Sequence, residues 1–396
     1  MIVELRVGPV AHGGHCVARH ENRVVFVRHA LPGELVRARV TEARRTYLRA
    51  DAVEVLEPSP DRVSPPCRFA GPGRCGGCDF QHVTAAAQLR LKTAVVREQL
   101  ARLGGVTDVD VEVEPLPGGP LGWRTRVQYA VDESGRVGLR RYRSHDVLPV
   151  DRCLIAAPEI QAPSVTGELW PGCRGVEVVS GDEVTVFTPG PRGGRVVAGP
   201  ATVTEQAVGR EWRLRPDAFW QVHPAAADTF AETVLDFLDP KPGEWAWDLY
   251  GGAGLFAAAL ASRLGPTGRV TLVESDPRCD PAGNLADLPQ VRVVRGRVER
   301  VLGRRGLRNT NLVVLDPPRS GAGAEVVSLI AAATPRAVAY VACDPAALAR
   351  DVKTFRDLGW HLAKVRAFDA FPMTHHVETI ALLTPEGPSK IRTGGR

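Results

Sequence analysis

The 396-residue chain has no apolar run that approaches the ~18 residues of a membrane-spanning helix, and its first residues lack the basic and apolar regions of a signal peptide. These absences predict a cytoplasmic protein with no membrane partner. Lysine is scarce, since five lysines leave 45 arginines among the 50 basic residues. Codon bias in a GC-rich genome explains this without any function. A hydrophobic content of 44% and a charged content of 24% are those of an ordinary globular protein.

The net charge of +5 is too small to imply nucleic acid by itself, and the distribution of charge is more informative. The stretch from Arg292 to Arg308 contains seven arginines and one acidic residue. The stretch from Gly122 to Arg152 contains seven arginines and four acidic residues. Patches of this kind suit a phosphate backbone. A solvated surface is an equally good interpretation of each patch taken alone.

Three regions follow one another along the chain. Residues 1–58 contain short strands separated by Gly and Pro turns, which favours a small β-barrel of a kind that commonly binds oligonucleotides. Residues 59–210 open on a proline-rich linker, continue with a predicted helix over residues 84–103 and return to short strands. Over residues 211–396 strands alternate with helices, which predicts a parallel sheet.

The third region contains a glycine-rich turn, Asp248-Leu-Tyr-Gly-Gly-Ala-Gly254, between a predicted strand and a helix of small residues. Glycines let the backbone approach a ligand closely, and Glu274 ends the next predicted strand, where an acid can bind both hydroxyls of a ribose. The turn lacks the Lys-Ser/Thr pair of a phosphate-binding loop and is not Gly-x-Gly-x-x-Gly. S-adenosylmethionine, which has a ribose but no phosphate, therefore fits best, and a purely structural turn is the alternative.

Three further predicted strand ends carry reactive side chains. Asp316 precedes Pro-Pro-Arg, a rigid loop that could grip a base beside the cofactor. Cys343 follows the apolar run Ala337–Ala342 and precedes a helix, whose dipole is expected to lower the pKa of the thiol. Glu378 opens the last apolar strand and is a candidate general base. Taken singly, a packed cysteine and a surface carboxylate are simpler interpretations.

Four of the eight cysteines form a set. Cys67, Cys75 and Cys78 are spaced Cys-x7-Cys-x2-Cys, and Cys153 follows after 74 intervening residues. In a chain predicted to be cytoplasmic, such a set favours metal or catalysis over disulfides. Three close thiolates and a remote fourth can ligate one iron–sulfur cluster or one zinc ion, and the spacing does not choose between them.

These motifs, in this order and over nearly the whole chain, resemble the RNA (uracil-C5)-methyltransferase family. The resemblance is closest to its larger members, because Gly13-Gly-His-Cys-Val-Ala18 and Leu31-Pro-Gly-Glu34 are similar to a TRAM domain. It implies an OB-like TRAM barrel over residues 1–58 and a Rossmann-like class I methyltransferase domain over residues 211–396. Between them, residues 59–210 would form a mostly antiparallel β domain that carries a [4Fe-4S] cluster on Cys67, Cys75, Cys78 and Cys153.

The same resemblance implies the roles of the site residues. Contacts to S-adenosylmethionine would come from Gln221, Tyr250, Glu274 and Asp316. Cys343 would be the nucleophile that adds to C6 of uracil, and Glu378 would remove the proton from C5. The sequence departs from the family pattern at five positions. Other residues are usual at His223, Gly251, Ala253 and Asp344, and Arg297 stands where some members have a polar cofactor contact.

The implied substrate is a uridine in a loop or single strand of RNA, because the base must leave its stack to reach the site. Ribosomal RNA is favoured, with transfer RNA as the second choice, and a monomer is the default assembly. Two other functions remain open. The Asp-Pro-Pro-Arg motif is similar to the Asp-Pro-Pro-Tyr of amino-directed methyltransferases, and Gly251 and Ala253 leave room for a non-catalytic RNA-binding assembly factor.

Overall fold

The structure, a computed structural model, describes residues 1–190, 193–303 and 310–386. The chain divides into two compact units. The first comprises residues 1–96, 112–226 and 368–377, and the second comprises residues 97–111, 227–367 and 378 onward. The division into three domains at residues 58 and 210 stays a prediction. Residues 304–308 of the arginine-rich segment lie outside the described residues. No helix in the described part is long and apolar enough to cross a membrane.

The first unit begins with a six-stranded sheet of order β1-β5-β6-β4-β3-β2. Buried residues alternate along its strands, and their side chains form one core that includes Val25, Val27 and Leu48. Leu91 and Val95 of the first helix pack against this core. The strands are β1 (Ile2–Arg6), β2 (Val10–Ala11), β3 (His15–His20), β4 (Arg23–Arg28), β5 (Leu35–Ala43) and β6 (Tyr47–Glu57), and helix α1 spans Ala85–Arg102.

The rest of the first unit is antiparallel, as predicted for the central region. Short strands with Gly and Pro turns form a second sheet of order β10-β9-β8-β11-β12-β13 and a separate hairpin of β14 and β15. The elements are β7 (Val113–Pro115), β8 (Arg126–Val131), β9 (Val137–Arg140), β10 (Val147–Pro149), α2 (Pro158–Gln161), a 3-10 turn (Val165–Gly167), β11 (Gly175–Ser180), β12 (Val184–Thr188), β13 (Arg195–Ala198), β14 (Val203–Ala207) and β15 (Arg210–Leu214).

Strands and helices alternate in the second unit, as predicted. Seven strands run in the order β18-β17-β16-β19-β20-β22-β21. The elements are α3 (Ala226–Leu238), β16 (Trp245–Leu249), α4 (Leu255–Leu264), β17 (Arg269–Glu274), α5 (Pro281–Asn284), β18 (Val291–Arg295), α6 (Val298–Gly303), β19 (Leu312–Leu315), α7 (Gly323–Ala332), β20 (Ala337–Ala342), α8 (Pro345–Asp357), β21 (Trp360–Asp369) and β22 (Glu378–Pro385).

This strand order determines where a site can form. Strands β18, β17, β16, β19 and β20 are parallel, and the order reverses at β16, which pairs with both β17 and β19. Ligands bind at such a switch point, outside the carboxyl ends of the strands. Strand β22 runs antiparallel to β20, so its first residue, Glu378, lies at the same edge as the carboxyl end of β20. The apolar residues of β19 and β20 are fully buried and anchor this edge.

Candidate active site

The pairing of β20 with β22 determines the positions of Cys343 and Glu378. Ala342, the last residue of β20, pairs with Thr379 of β22, whose hydroxyl donates a hydrogen bond to the Ala342 carbonyl at 3.1 Å. The next positions outward on the two strands are Cys343 and Glu378. The half-buried thiol and the buried carboxyl therefore lie side by side at the mouth of the pair, close enough to interact electrostatically.

Asp316 lies on the neighbouring strand end. Leu315 of β19 pairs with Tyr340 of β20, and the backbone N–H of Asp316 donates to the carbonyl of Leu249 at the end of β16. The charge of Asp316 acts on both Cys343 and Glu378, and that of Arg319 opposes it at both groups. The structure thus brings together the predicted nucleophile, the predicted base and the acid of the Asp-Pro-Pro-Arg loop.

The expected lowering of the thiol pKa by the helix dipole is wrong for this structure. Burial, with the nearby Glu378 and Asp316, raises the pKa of Cys343 to about 12, although Arg319 acts in the opposite direction. The side chain of Asp344 caps helix α8 by accepting a hydrogen bond from the Ala347 N–H at 2.7 Å. Desolvation and two carboxyl groups therefore outweigh the helix N-terminus.

The two carboxyl groups also hold their protons more tightly than usual. Burial, with the charge of Asp316, raises the pKa of Glu378 well above its usual range. Burial likewise raises the pKa of Asp316 to about 7. Two carboxyls in one apolar site cannot both ionise easily, so they titrate as a coupled pair. Groups perturbed in this way are typical of catalytic sites.

The predicted cofactor loop is a strained turn tied to Glu274. Tyr250 has a positive φ of 62°, which is uncommon for a non-glycine residue. The Glu274 carboxylate accepts hydrogen bonds from the Gly252 N–H at 2.8 Å and from the N–H groups of Ser275 and Asp276 at 2.5 Å. Gly254 has a φ of 106°, and a Cβ there would lie 2.6 Å from the Leu285 side chain. The loop geometry therefore depends on these residue types.

Asp248 is a further candidate site residue, to which the sequence alone assigned no role. It is fully buried at the end of β16, and one carboxyl oxygen accepts a hydrogen bond from the Ala257 N–H at 2.8 Å. Its other oxygen has no partner among the described residues. Burial, with the charges of Asp316 and Glu274, raises the pKa of Asp248 to about 8. The signal was present in the sequence as an acid within an otherwise apolar strand, directly before the glycine turn.

Gln221 belongs to the first unit, and its contact to the cofactor stays a prediction. The nearby His223 is buried and stacks on Trp123, with ring centroids 6.0 Å apart and an interplanar angle of 18°. Burial lowers the pKa of His223, which keeps the ring neutral. The histidine that departs from the family pattern therefore has a packing role in this chain.

The four predicted metal ligands line one cavity. Cys67, Cys75, Cys78 and Cys153 surround it together with Arg124 and Gln81. The Gly77 N–H donates to the sulfur of Cys75, and the Gln81 amide donates to that of Cys78, each at 3.4 Å. Within residues 1–190, 193–303 and 310–386, no group of three or more His, Cys, Asp or Glu is placed to hold a metal ion.

The donor set is nevertheless chemically suited to a cluster. All four cysteines line one cavity, N–H donors reach the sulfurs of two of them, and four thiolates are the ligands that an iron–sulfur cluster takes. Burial raises the pKa of Cys75, Cys78 and Cys153, so metal binding would have to displace protons. Cys16 and Cys279 are buried elsewhere, and Cys173 is half-buried.

Comparison with known proteins identifies the family. A TRAM domain model matches residues 2–53, and a tRNA (uracil-5-)-methyltransferase model matches residues 304–386. An RNA methyltransferase of Streptomyces avermitilis is 49% identical over 96% of this chain and 98% of its own. One from Bifidobacterium longum is 38% identical over 97% of each chain.

A solved structure supports the fold over the whole chain. The Pyrococcus abyssi tRNA (uracil-54, C5)-methyltransferase, in complex with S-adenosyl-L-homocysteine, matches with a TM-score of 0.71 at 21% identity. The match covers 97% of this chain and 100% of that one. The expected methyltransferase fold with an N-terminal TRAM domain is therefore confirmed, whereas an iron–sulfur cluster is not shown. The chain belongs to the TRAM-containing, S-adenosylmethionine-dependent RNA (uracil-5)-methyltransferase family.

Proposed function

We propose that this enzyme methylates C5 of a uridine in ribosomal RNA through a covalent adduct between Cys343 and C6. The observation that carries the proposal is the placement of Cys343 beside Glu378 at the mouth of β20 and β22, with Asp316 on the next strand end. An amino-directed methyltransferase needs neither the thiol nor the second carboxyl. Methylation at C5 of uracil requires both a nucleophile and a base, which Cys343 and Glu378 would provide.

The steps follow from the reactivity of uracil. C5 is a weak nucleophile, and addition of the Cys343 thiolate to C6 converts it into an enolate-like carbon. S-adenosylmethionine, when bound, would supply an electrophilic methyl group to that carbon, with the electron pair of the broken sulfur–methyl bond left on the sulfur of S-adenosylhomocysteine. The Glu378 carboxylate then takes the C5 proton, the electron pair of the C5–H bond restores the C5–C6 double bond, and the bond between sulfur and C6 breaks. Cys343 leaves as a thiolate, and Glu378 carries the proton.

The roles proposed for the cofactor residues rest on the sequence and on the resemblance. Glu274, at the end of β17 beside the glycine loop, would bind the ribose, and Tyr250 and Gln221 are assigned to the same cofactor by the resemblance. Ionised Asp316 can accept the N3–H of uracil. Burial raises the pKa of Asp316 to about 7, so this role depends on the ionised fraction of the carboxyl.

The choice of ribosomal RNA rests on the resemblance of the four-cysteine set to the larger family members. The matched family model and the Pyrococcus abyssi protein are instead named for tRNA. If the substrate is ribosomal RNA, one 5-methyluridine should disappear from it in a strain that lacks the gene. Mass mapping of ribosomal and transfer RNA in parallel tests this expectation. Loss from transfer RNA would change the assigned substrate, and no loss from either RNA would refute the proposed activity.

We also propose that Cys67, Cys75, Cys78 and Cys153 hold a [4Fe-4S] cluster with a structural role. Protein purified without oxygen is expected to contain about four irons and about four sulfides per chain and to absorb visible light. Cys78→Ser should lose this absorption, because it removes one of the four proposed ligands. The matched variant Cys173→Ser should keep it, since Cys173 lies outside the cavity. One zinc per chain, with no sulfide, would contradict the assignment of iron.

A further inference from the structure

The segment 369–377 leads directly into Glu378 and contains a strained residue. Met373 is buried and has a φ of 68°, a left-handed conformation that is rare and costly for a residue with a side chain. Strain of this kind persists only where the surroundings impose it, and it is concentrated at functional sites. Met373 precedes by five residues the carboxyl that is proposed to take the C5 proton.

Both polar groups of the Met373 backbone are hydrogen-bonded within the first unit, to which residues 368–377 belong. Its N–H donates to the side-chain oxygen of Gln88 at 2.9 Å. Its carbonyl accepts hydrogen bonds from the backbone N–H groups of Asp79 and Phe80, each at 2.9 Å. The Gln88 amide also reaches the Met373 sulfur at 3.3 Å, and the Gln88 side chain is 1% exposed. A buried glutamine in helix α1 thus fixes the strained peptide from one side, and the chain after Cys78 fixes it from the other.

A second set of contacts holds the residue two positions further on. One Asp79 oxygen accepts hydrogen bonds from the backbone N–H of His375 at 3.1 Å and from its Nδ1 at 2.6 Å. The other oxygen pairs with Arg28 at 3.2 Å. Gly14 packs so closely that a Cβ there would lie 2.6 Å from that of His375. His375 is therefore fixed from two directions, three residues before Glu378.

The start of the segment is fixed by a buried ion pair. Lys92 of α1 donates to Asp369 at 2.5 Å and to the carbonyl of Phe371 at 3.1 Å. Lys92 is 1% exposed, and Asp369 is 5% exposed. Buried charges are costly unless they are paired. Three separate sets of polar contacts, from Gln88, Asp79 and Lys92, thus fix the nine residues 369–377. The next residue along the chain is Glu378, the proposed base.

We propose that Asp79 and Gln88 are positioning residues for Glu378. They hold Met373 in its strained conformation and His375 in place, and so determine the path by which the chain enters β22. A general base must lie within hydrogen-bond reach of the proton that it removes, and an error of about 1 Å in its position costs about 100-fold in rate. Releasing the strain at Met373 lets the segment relax and moves the carboxyl. The inference rests on the proposed role of Glu378.

Two variants, Asp79→Asn and Gln88→Leu, test the inference by showing at which step of the reaction turnover stops. Asp79→Asn removes the charge that holds His375, and Gln88→Leu removes the acceptor of the Met373 N–H with little change in volume. For both variants kcat should fall about 10-fold to 100-fold with little change in KM for RNA. The covalent RNA adduct should accumulate and appear as a shifted band on a denaturing gel, because its formation precedes proton removal and its breakdown requires it.

The matched control is Asp61→Asn. Asp61, like Asp79, lies in the chain that precedes α1, and its carboxylate accepts a hydrogen bond from Arg90 of α1 at 2.7 Å. This carboxylate is exposed, and it has no hydrogen bond to residues 369–377 among the described contacts. It should keep wild-type kcat and show no extra adduct. Iron content and the melting temperature of each variant are measured alongside, so that Gln88→Leu provides the test if Asp79→Asn does not fold.

The outcomes separate this inference from the proposed function. If wild-type enzyme forms neither an adduct nor 5-methyluridine, the proposed function fails, and the inference fails with it. If wild-type enzyme forms both, and the folded variants keep normal kcat, the inference alone fails. A fall in kcat without adduct accumulation also overturns it, since the lost step would then precede the one performed by Glu378.

Discussion

Cys343→Ala is expected to abolish methyl transfer to RNA, with a fall in kcat of at least about 10⁴-fold, while the affinity for RNA stays unchanged. Without the sulfur no adduct forms at C6, so C5 keeps the weak nucleophilicity of free uracil. Arginine-rich surfaces and the TRAM domain do not depend on this thiol. Transfer of labelled methyl groups measures the first effect, and RNA titration by fluorescence anisotropy measures the second.

The matched control for this substitution is Cys279→Ala. Cys279 is a buried cysteine of the same unit that has no assigned role in the reaction, so its loss tests the effect of removing a thiol as such. RNA containing 5-fluorouridine gives a second readout. A base cannot remove the fluorine at C5 as it removes a proton, so the covalent adduct persists. Wild-type enzyme and Cys279→Ala should form that adduct, and Cys343→Ala should not. Retained methylation by Cys343→Ala would refute the assignment of the nucleophile.

Much of the second unit could be predicted because its signals are local. An apolar run followed by Gly, or by an acid and Pro, marks the end of a buried strand, and parallel strands place their ends on one edge. The turn from Asp248 to Gly254, Asp316 and Cys343 lie at that edge, as these local signals predict. Glu378 needed one further fact, because β22 is antiparallel to β20 and presents its first residue, not its last, to the same edge. The sequence pattern of an apolar strand does not reveal its direction.

The electrostatics of the site could not be predicted from the same signals. The helix N-terminus after Cys343 suggested a lowered thiol pKa, yet burial beside two carboxyls raises it to about 12. The magnitude of desolvation depends on which side chains enclose the thiol, and these come from strands far apart in sequence. In the empty site burial therefore favours the protonated forms of both the nucleophile and the base. Ionisation of the site must accompany the binding of the substrate.

One departure from the family pattern gains a physical reason. Gly251 stands where a larger residue is usual, and a Cβ at this position would lie 2.5 Å from the side chain of Leu272. Leu272 on β17 therefore leaves no room for a side chain at 251, and the glycine there is not in itself evidence against catalysis. The anchors of Met373 show the opposite limit of sequence reasoning. Asp79, Gln88 and His375 each look like ordinary polar residues, and only their convergence on one strained peptide suggests a role.

Glu378→Gln is expected to lower kcat about 10³-fold and to trap the methylated adduct with unmodified RNA. The amide cannot accept the C5 proton, whereas addition of Cys343 and methyl transfer do not require it to do so. Denaturing gels should show one protein–RNA band, and mass spectrometry of that band should show the added methyl group. Glu325→Gln, on the exposed start of α7, is the matched control and should behave as wild type. Loss of activity without an adduct would assign Glu378 to an earlier step.

The pH dependence distinguishes a base from a residue that merely shapes the site. Because burial and Asp316 raise the pKa of Glu378, its carboxyl becomes an acceptor only as pH rises, and kcat of the wild-type enzyme should increase with pH above the usual range of a glutamate. Asp316→Asn removes the charge that disfavours ionisation of Glu378, so the rising limb should shift to lower pH even though the maximal rate falls. In Glu378→Gln the residual rate should lose that limb. A limb that stays in place in both variants would mean that another group, such as Cys343, limits the rate through its own ionisation.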